Sequence, residues 1–100
     1  GTGGGGSCDP ALAQALLREA KAAAGYTAVL NGRFQGGHIT RHYGEPARNI
    51  HAVQLELTQC SYMQEAPPFG YLPEVAAGVL PHLHRMVEAA LAFAHARGAA

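Results

Sequence analysis

Residues Asn31–Gln59 read NGRFQGGHITRHYGEPARNIHAVQLELTQ, and the second half of this stretch decides the fold. From Ile50 to Gln59 the residues alternate: Val53, Leu55 and Leu57 fall on one side of an extended chain, and Ala52, Gln54, Glu56 and Thr58 on the other. That pattern predicts a β-strand with Glu56 set among strong strand formers. The first half is polar and rich in glycine. Its Gly36-Gly37 pair, between Arg33-Phe34-Gln35 and His38-Ile39-Thr40, can take the positive φ angles of a two-residue hairpin turn, so a small hairpin is predicted there.

Upstream, Asp9 is placed to cap a helix, Pro10 suits the first helical position, and Gly25 supplies a left-handed stop. A helix from Pro10 to Ala24 is predicted, with Leu12, Leu16, Ala20 and Ala23 on its packed stripe. Tyr26 to Leu30 then reads as a short buried strand closed by Asn31-Gly32. Downstream, Cys60 to Tyr71 reads as a connecting loop. A last helix starts near Pro73 and ends at Gly98, with Leu80, Leu83, Val87, Leu91 and Ala94 as its apolar stripe. Pro81 cannot donate to the carbonyl of Ala77, which predicts a kink or break. The order helix, strand, loop, strand, helix predicts an α/β layer.

The chain has 100 residues, enough for one small domain with little spare stability. Seven basic residues balance seven acidic ones. No strong field draws the chain to nucleic acid or an anionic membrane, and its partner is expected to be a small molecule. Cys8 and Cys60 match no metal or redox spacing, so they read as reduced thiols of a cytoplasmic protein. Charged or polar residues interrupt every apolar run before it could span a bilayer.

The residues able to carry chemistry lie mostly in the opening stretch. A carboxylate held by a strand, Glu56, suits a general acid or base; it suits equally an edge glutamate in solvent or paired with an arginine. Arg33 and Arg41 each present a guanidinium fork that fits a carboxylate, and two in one loop could grip a diacid; ordinary exposed loop arginines look the same in sequence. His38 and His42 have the spacing of a helical metal pair, but the glycines at 36, 37 and 44 argue against a helix, so no metal site is assigned.

NGRFQGGHITRHYGEP followed by HAVQLELTQCSYM closely resembles the C-terminal part of N-formylglutamate amidohydrolases, also called N-formylglutamate deformylases. GTGGGGSCDP and PFGYLP look like the family's glycine-rich segment and later loop, so the resemblance spans nearly the whole chain. It implies part of a three-layer α/β fold of the zinc-carboxypeptidase-like (phosphorylase/hydrolase-like) kind. It also implies a zinc-dependent hydrolase that splits N-formyl-L-glutamate into formate and L-glutamate, a closing step of histidine breakdown. Glu56 would then be the general base, Arg33 and Arg41 would hold the substrate carboxylates, and Asn31 and His42 would be secondary substrate ligands. The zinc ligands are expected in histidine motifs upstream of the glycine-rich segment, which this sequence lacks. Residues 1–100 are accordingly expected to be the last third of a larger catalytic domain, inactive without its N-terminal part. The competing expectation is a small non-catalytic α/β domain that binds an anion or dimerises through its alanine-rich helices.

Overall fold

Asp9 begins the first helix as its chemistry requires. Its backbone is extended (φ −62°, ψ 136°) and its Oδ1 accepts the Ala11 N–H at 2.7 Å, while Pro10 occupies the first turn, where its missing N–H costs nothing. In the computed structural model, which describes residues 1–98, this helix is α1 (Pro10–Ala22). It is followed by a short α2 (His38–Tyr43) and a long α3 (Pro73–Ala96). Single 3₁₀ turns lie at Pro46–Arg48 and Gln59–Ser61.

The α/β three-layer expectation is overturned: the described residues contain helices and extended segments but no β-strand. Residues 26–29 and 51–58 carry no regular secondary structure, and among the described residues antiparallel bridging is limited to two single bridges, Glu45 with Ile50 and Met63 with Tyr71. The physical reason lies in the neighbour of the 51–58 segment. Ala52 N–H donates to the Ser7 carbonyl and Gln54 N–H to the Gly1 carbonyl, both at 2.9 Å, the alternate spacing a ladder would use. Between those two acceptors the chain leaves the extended state, because Gly3, Gly4 and Gly5 all have positive φ (59°, 70° and 98°). A left-handed glycine turn cannot continue a ladder, so the β-branched and leucine-rich run finds no register partner. The hairpin expected at Gly36-Gly37 is likewise absent; the chain enters α2 there.

The core sits between α1 and α3. Cys8, Leu12 and Ala13 are buried, with Leu16, Leu30, Val53, Ala90 and Phe93 packed on them. α3 is helical through Pro81, so the expected break does not occur. A proline there costs about 3 kcal/mol, and the packing of α3 along α1 offsets it. The buried face of α3 also differs from the expected stripe. Ala76 and Val79 are buried and Ala90 and Phe93 face the core, whereas Leu80, Val87 and Leu91 are exposed. Both sets recur at helical spacing. The packed face mixes small residues, Ala76 and Ala90, with Val79 and Phe93.

One end of the pair is clasped. Arg97 of α3's C-terminus pairs with Asp9, and its guanidinium lies 4.7 Å from the centre of the Phe93 ring. His51 stacks edge-on against Phe93 at 5.0 Å and accepts the Asp9 N–H at Nδ1, 3.0 Å away. Its proton is therefore on Nε2, which donates to Asn49 Oδ1 at 2.9 Å. Of the two thiols, Cys8 is buried and Cys60 exposed, and burial pushes the Cys8 thiol up from its usual range. No helix among the described residues is long and apolar enough to cross a membrane.

Candidate functional site

The glycine-rich start, Gly3–Ser7, and α2 face each other, and the site candidates gather around them. Thr2 is almost wholly buried and holds the turn by its start: its Oγ1 accepts the Gly5 N–H at 3.1 Å, and its carbonyl accepts from Gly5 and Ser7. Asn31 grips Thr2 from the other side. Asn31 Oδ1 accepts the Thr2 N–H at 2.8 Å and its Nδ2 donates to Thr2 Oγ1 at 2.7 Å. Asn31 itself has φ 54°, a left-handed conformation that asparagine tolerates better than most residues. One Nδ2–H and one carbonyl lone pair are left for any other partner.

Glu56 is joined to the same region through Gln54. Gly37 N–H donates to Gln54 Oε1 at 2.8 Å, and Gln54 Nε2 donates to Glu56 Oε2 at 2.9 Å. Residues 54 and 56 share a side because the chain is extended there. The carboxylate is exposed, with its second oxygen free to accept. The sequence reading placed Gln54 beside Glu56 without giving it a task; the alternation was the signal. Thr2 gave no signal, since its role depends on a residue far along the chain.

Arg41 and His42 lie on α2. The sequence argument that glycine excludes a helix here fails, because Gly37 and Gly44 stand just outside the helix as its two caps. His38 and His42 therefore share a face, their rings stacked at 4.9 Å and 16°, and Tyr43 packs edge-on against His42 at 4.6 Å. Two imidazoles are not a closed site. Among the described residues no three His, Cys, Asp or Glu side chains group so as to hold a metal ion, so the residues present do not by themselves fit a zinc centre.

Arg41 Nη1 donates to the Gly36 carbonyl at 3.3 Å, and among the described residues its other donors have no partner. Arg33 is exposed in the preceding loop and also lacks one. The ion pairs among the described residues use other arginines, Arg48 with Glu45 and Arg97 with Asp9. Arg41 lines a cleft of about 220 Å³ with Gly3, Gly6, Ser7, Thr40 and Gly44. A somewhat larger cleft, about 280 Å³, lies at the Asp9–Arg97 clasp. It contains none of the candidate residues, and its arginine is already neutralised, so the smaller cleft is the better site. The structure thus ties Glu56 to the α2 entry, sets Arg41 in the cleft, and uses Asn31 to anchor the cleft's glycine wall. It gives Arg33 no contact with the others.

Comparison with known proteins follows the same residues. A family model described as N-formylglutamate amidohydrolase matches residues 1–63. The chain is 53% identical over 97 residues to an N-formylglutamate deformylase of Pseudomonas aeruginosa, covering 97% of this chain and 36% of that protein. It is 54% identical over 93 residues to an N-formylglutamate deformylase of Pseudomonas putida, covering 93% of this chain and 35% of that protein. The chain spans about a third of the length of these curated relatives. No solved structure matches it significantly.

Proposed function

The chain belongs to the N-formylglutamate amidohydrolase family, and from that membership we propose that it forms part of a hydrolase acting on the amide of N-formyl-L-glutamate. In this reading Arg33 and Arg41 hold the substrate's carboxylates and Glu56 moves the protons. The relatives named N-formylglutamate deformylase are nearly three times as long. Residues 1–100 would then be the C-terminal part of one catalytic domain, and the remaining part would cover side chains such as Val29, Phe34 and Ile39, which are 77%, 62% and 68% exposed. Any zinc would take its ligands from that remaining part.

The chemistry asked of this chain's residues is modest. A water adds to the formyl carbon, the carbon–nitrogen bond breaks, formate departs, and the glutamate nitrogen gains a proton. Glu56 would take the proton from the water and return it to the nitrogen. Gln54 would hold the carboxylate by one oxygen, leaving the other to work. Two guanidinium forks suit a substrate with two carboxylates. Asn31 and His42 would stand behind them, Asn31 through its remaining amide hydrogen and His42 through its ring.

The Gly37–Gln54–Glu56 relay carries this reading, since it links the one carboxylate of the 51–58 run to the N-cap of α2, the helix that bears Arg41. The test is Glu56→Gln in the chain carried at its relatives' full length. Turnover should fall by about 10²- to 10⁴-fold with substrate binding kept, and retained turnover would remove Glu56 from the proton transfers.

A further inference from the structure

We infer that the Gly3–Ser7 turn is the second half of a carboxylate subsite, in which the Gly6 N–H and the Arg41 guanidinium hold one carboxylate of the substrate between them. The inference rests on the proposed function for the identity of that substrate, but its geometry stands apart from it.

The cleft offers donors and no competing acceptor charge. None of its six lining residues is acidic. Its two hydroxyls are committed, Ser7 donating to the Ala52 carbonyl at 2.5 Å and Thr40 to the Gly37 carbonyl at 2.7 Å. Arg41 spends one N–H on Gly36, which leaves most of its five donors open. In the turn, Gly3, Gly5 and Ser7 donate their N–H groups to backbone carbonyls, while Gly4 and Gly6 have no such partner among the described residues. Of those two, Gly6 lines the cleft. A guanidinium and a backbone N–H at one cleft suit a planar anion with two oxygens.

The walls are also fixed in advance. Thr2 is pinned by Asn31. Ser7 is tied to Ala52 by both backbone and side chain. Gly44 lies so close to Ser7 that a Cβ there would come within 2.6 Å of it. Fixed donors lose little freedom on binding. The cleft's 220 Å³ falls below the roughly 300–1,000 Å³ of sites that enclose a whole ligand, which suits one arm of a small substrate.

The experiment is an ¹⁵N NMR titration of this chain with N-formyl-L-glutamate, glutarate and butyrate. The Gly6 amide and Arg41 side-chain signals should shift saturably with each, while the Gly4 amide, outside the cleft, stays still. Arg41→Ala should weaken binding by about 10- to 100-fold, and Arg41→Lys, which keeps the charge but not the fork, by less. Arg41 is exposed, and a dispersed spectrum of each variant verifies its fold. If Arg41→Ala weakens binding but the Gly6 amide never moves, the turn is no part of the subsite and the inference fails while Arg41's role stands. If all three acids move Gly6 yet N-formyl-L-glutamate binds no tighter than butyrate, the subsite stands and the proposed substrate fails. If no carboxylate moves Gly6, the inference is overturned.

Discussion

Asn31→Ala should destabilise the chain more than any other single change at an exposed or half-buried polar residue of the loop. Two hydrogen bonds to Thr2, at 2.8 and 2.7 Å, are lost, each worth roughly 0.5–1.5 kcal/mol. The buried Thr2 keeps a backbone N–H with no replacement partner. Alanine at φ 54° adds about 1 kcal/mol of left-handed strain that asparagine largely avoids. Together these give on the order of 2–4 kcal/mol, a large share of the roughly 5–15 kcal/mol a domain possesses. In a chain of this size about 1 kcal/mol moves the melting midpoint by roughly 4–8 °C, so a drop of at least about 8 °C is expected by circular dichroism. Asn31→Gly relieves the strain but not the lost bonds, and should recover about 1 kcal/mol of the damage. An alanine variant that melts with the wild type would refute the anchoring role. A glycine variant as unstable as the alanine one would refute the strain component alone.

Two further outcomes follow from the packing and the clasp. Gly44→Ala should cost about 1–3 kcal/mol in urea denaturation, although Gly44 has an ordinary φ of −69°, because the new methyl would lie 2.6 Å from the Ser7 carbonyl oxygen and Cβ; a neutral result would mean the two segments separate freely. The Ala11 backbone N–H, and after it Arg97, hold the Asp9 carboxyl below the usual carboxylate range. The unfolded chain therefore binds more protons there, and Asp9's contribution to stability is present above the ordinary carboxylate pKa and lost as pH falls through the lowered one. Asp9→Asn should flatten that part of the acid stability profile, and Arg97→Ala should flatten it only in part, since the larger cause survives; an unchanged profile in Asp9→Asn would contradict the assignment.

Helices α1 and α3 were legible because their signals are local, whereas α2 was read as a hairpin from its flanking glycines. Asp9-Pro10 sets the start of α1 within a residue's own neighbourhood, and Leu12 and Leu16 mark its packed side. That the expected strands would not form was not legible, because a strand is a pair. Alternation from Ala52 to Thr58 reports only that the chain is extended, and whether it joins a ladder depends on what lies beside it. Here that neighbour is a glycine turn with positive φ, far off in sequence. α3 shows a different limit. Two apolar stripes share one helix, one rich in leucine and one of alanine, valine and phenylalanine, and hydrophobicity alone favours the first. The stripe that packs on α1 is the second.

The site divides along the same line, and the division says what kind of evidence each residue needs. Gln54 and Glu56 could be placed on one side from their spacing, and two arginines in one loop could be marked as carboxylate partners from their chemistry. Neither reading could pair Asn31 with Thr2 or seat Arg41 beside the glycine turn, because those contacts join segments separated by tens of residues. The glycine run was legible only as a likeness to the family's glycine-rich segment. In the fold it closes one wall of the cleft, and glycine is needed because three successive residues take the left-handed conformation. A substitution there would therefore act first on the shape of the anion's seat and only second on stability. Arg41→Ala would act in the reverse order, since its side chain is exposed and carries little of the packing. Binding and melting measured on the same variants separate the two roles: loss of affinity without loss of stability belongs to the arginine, and loss of both belongs to the turn.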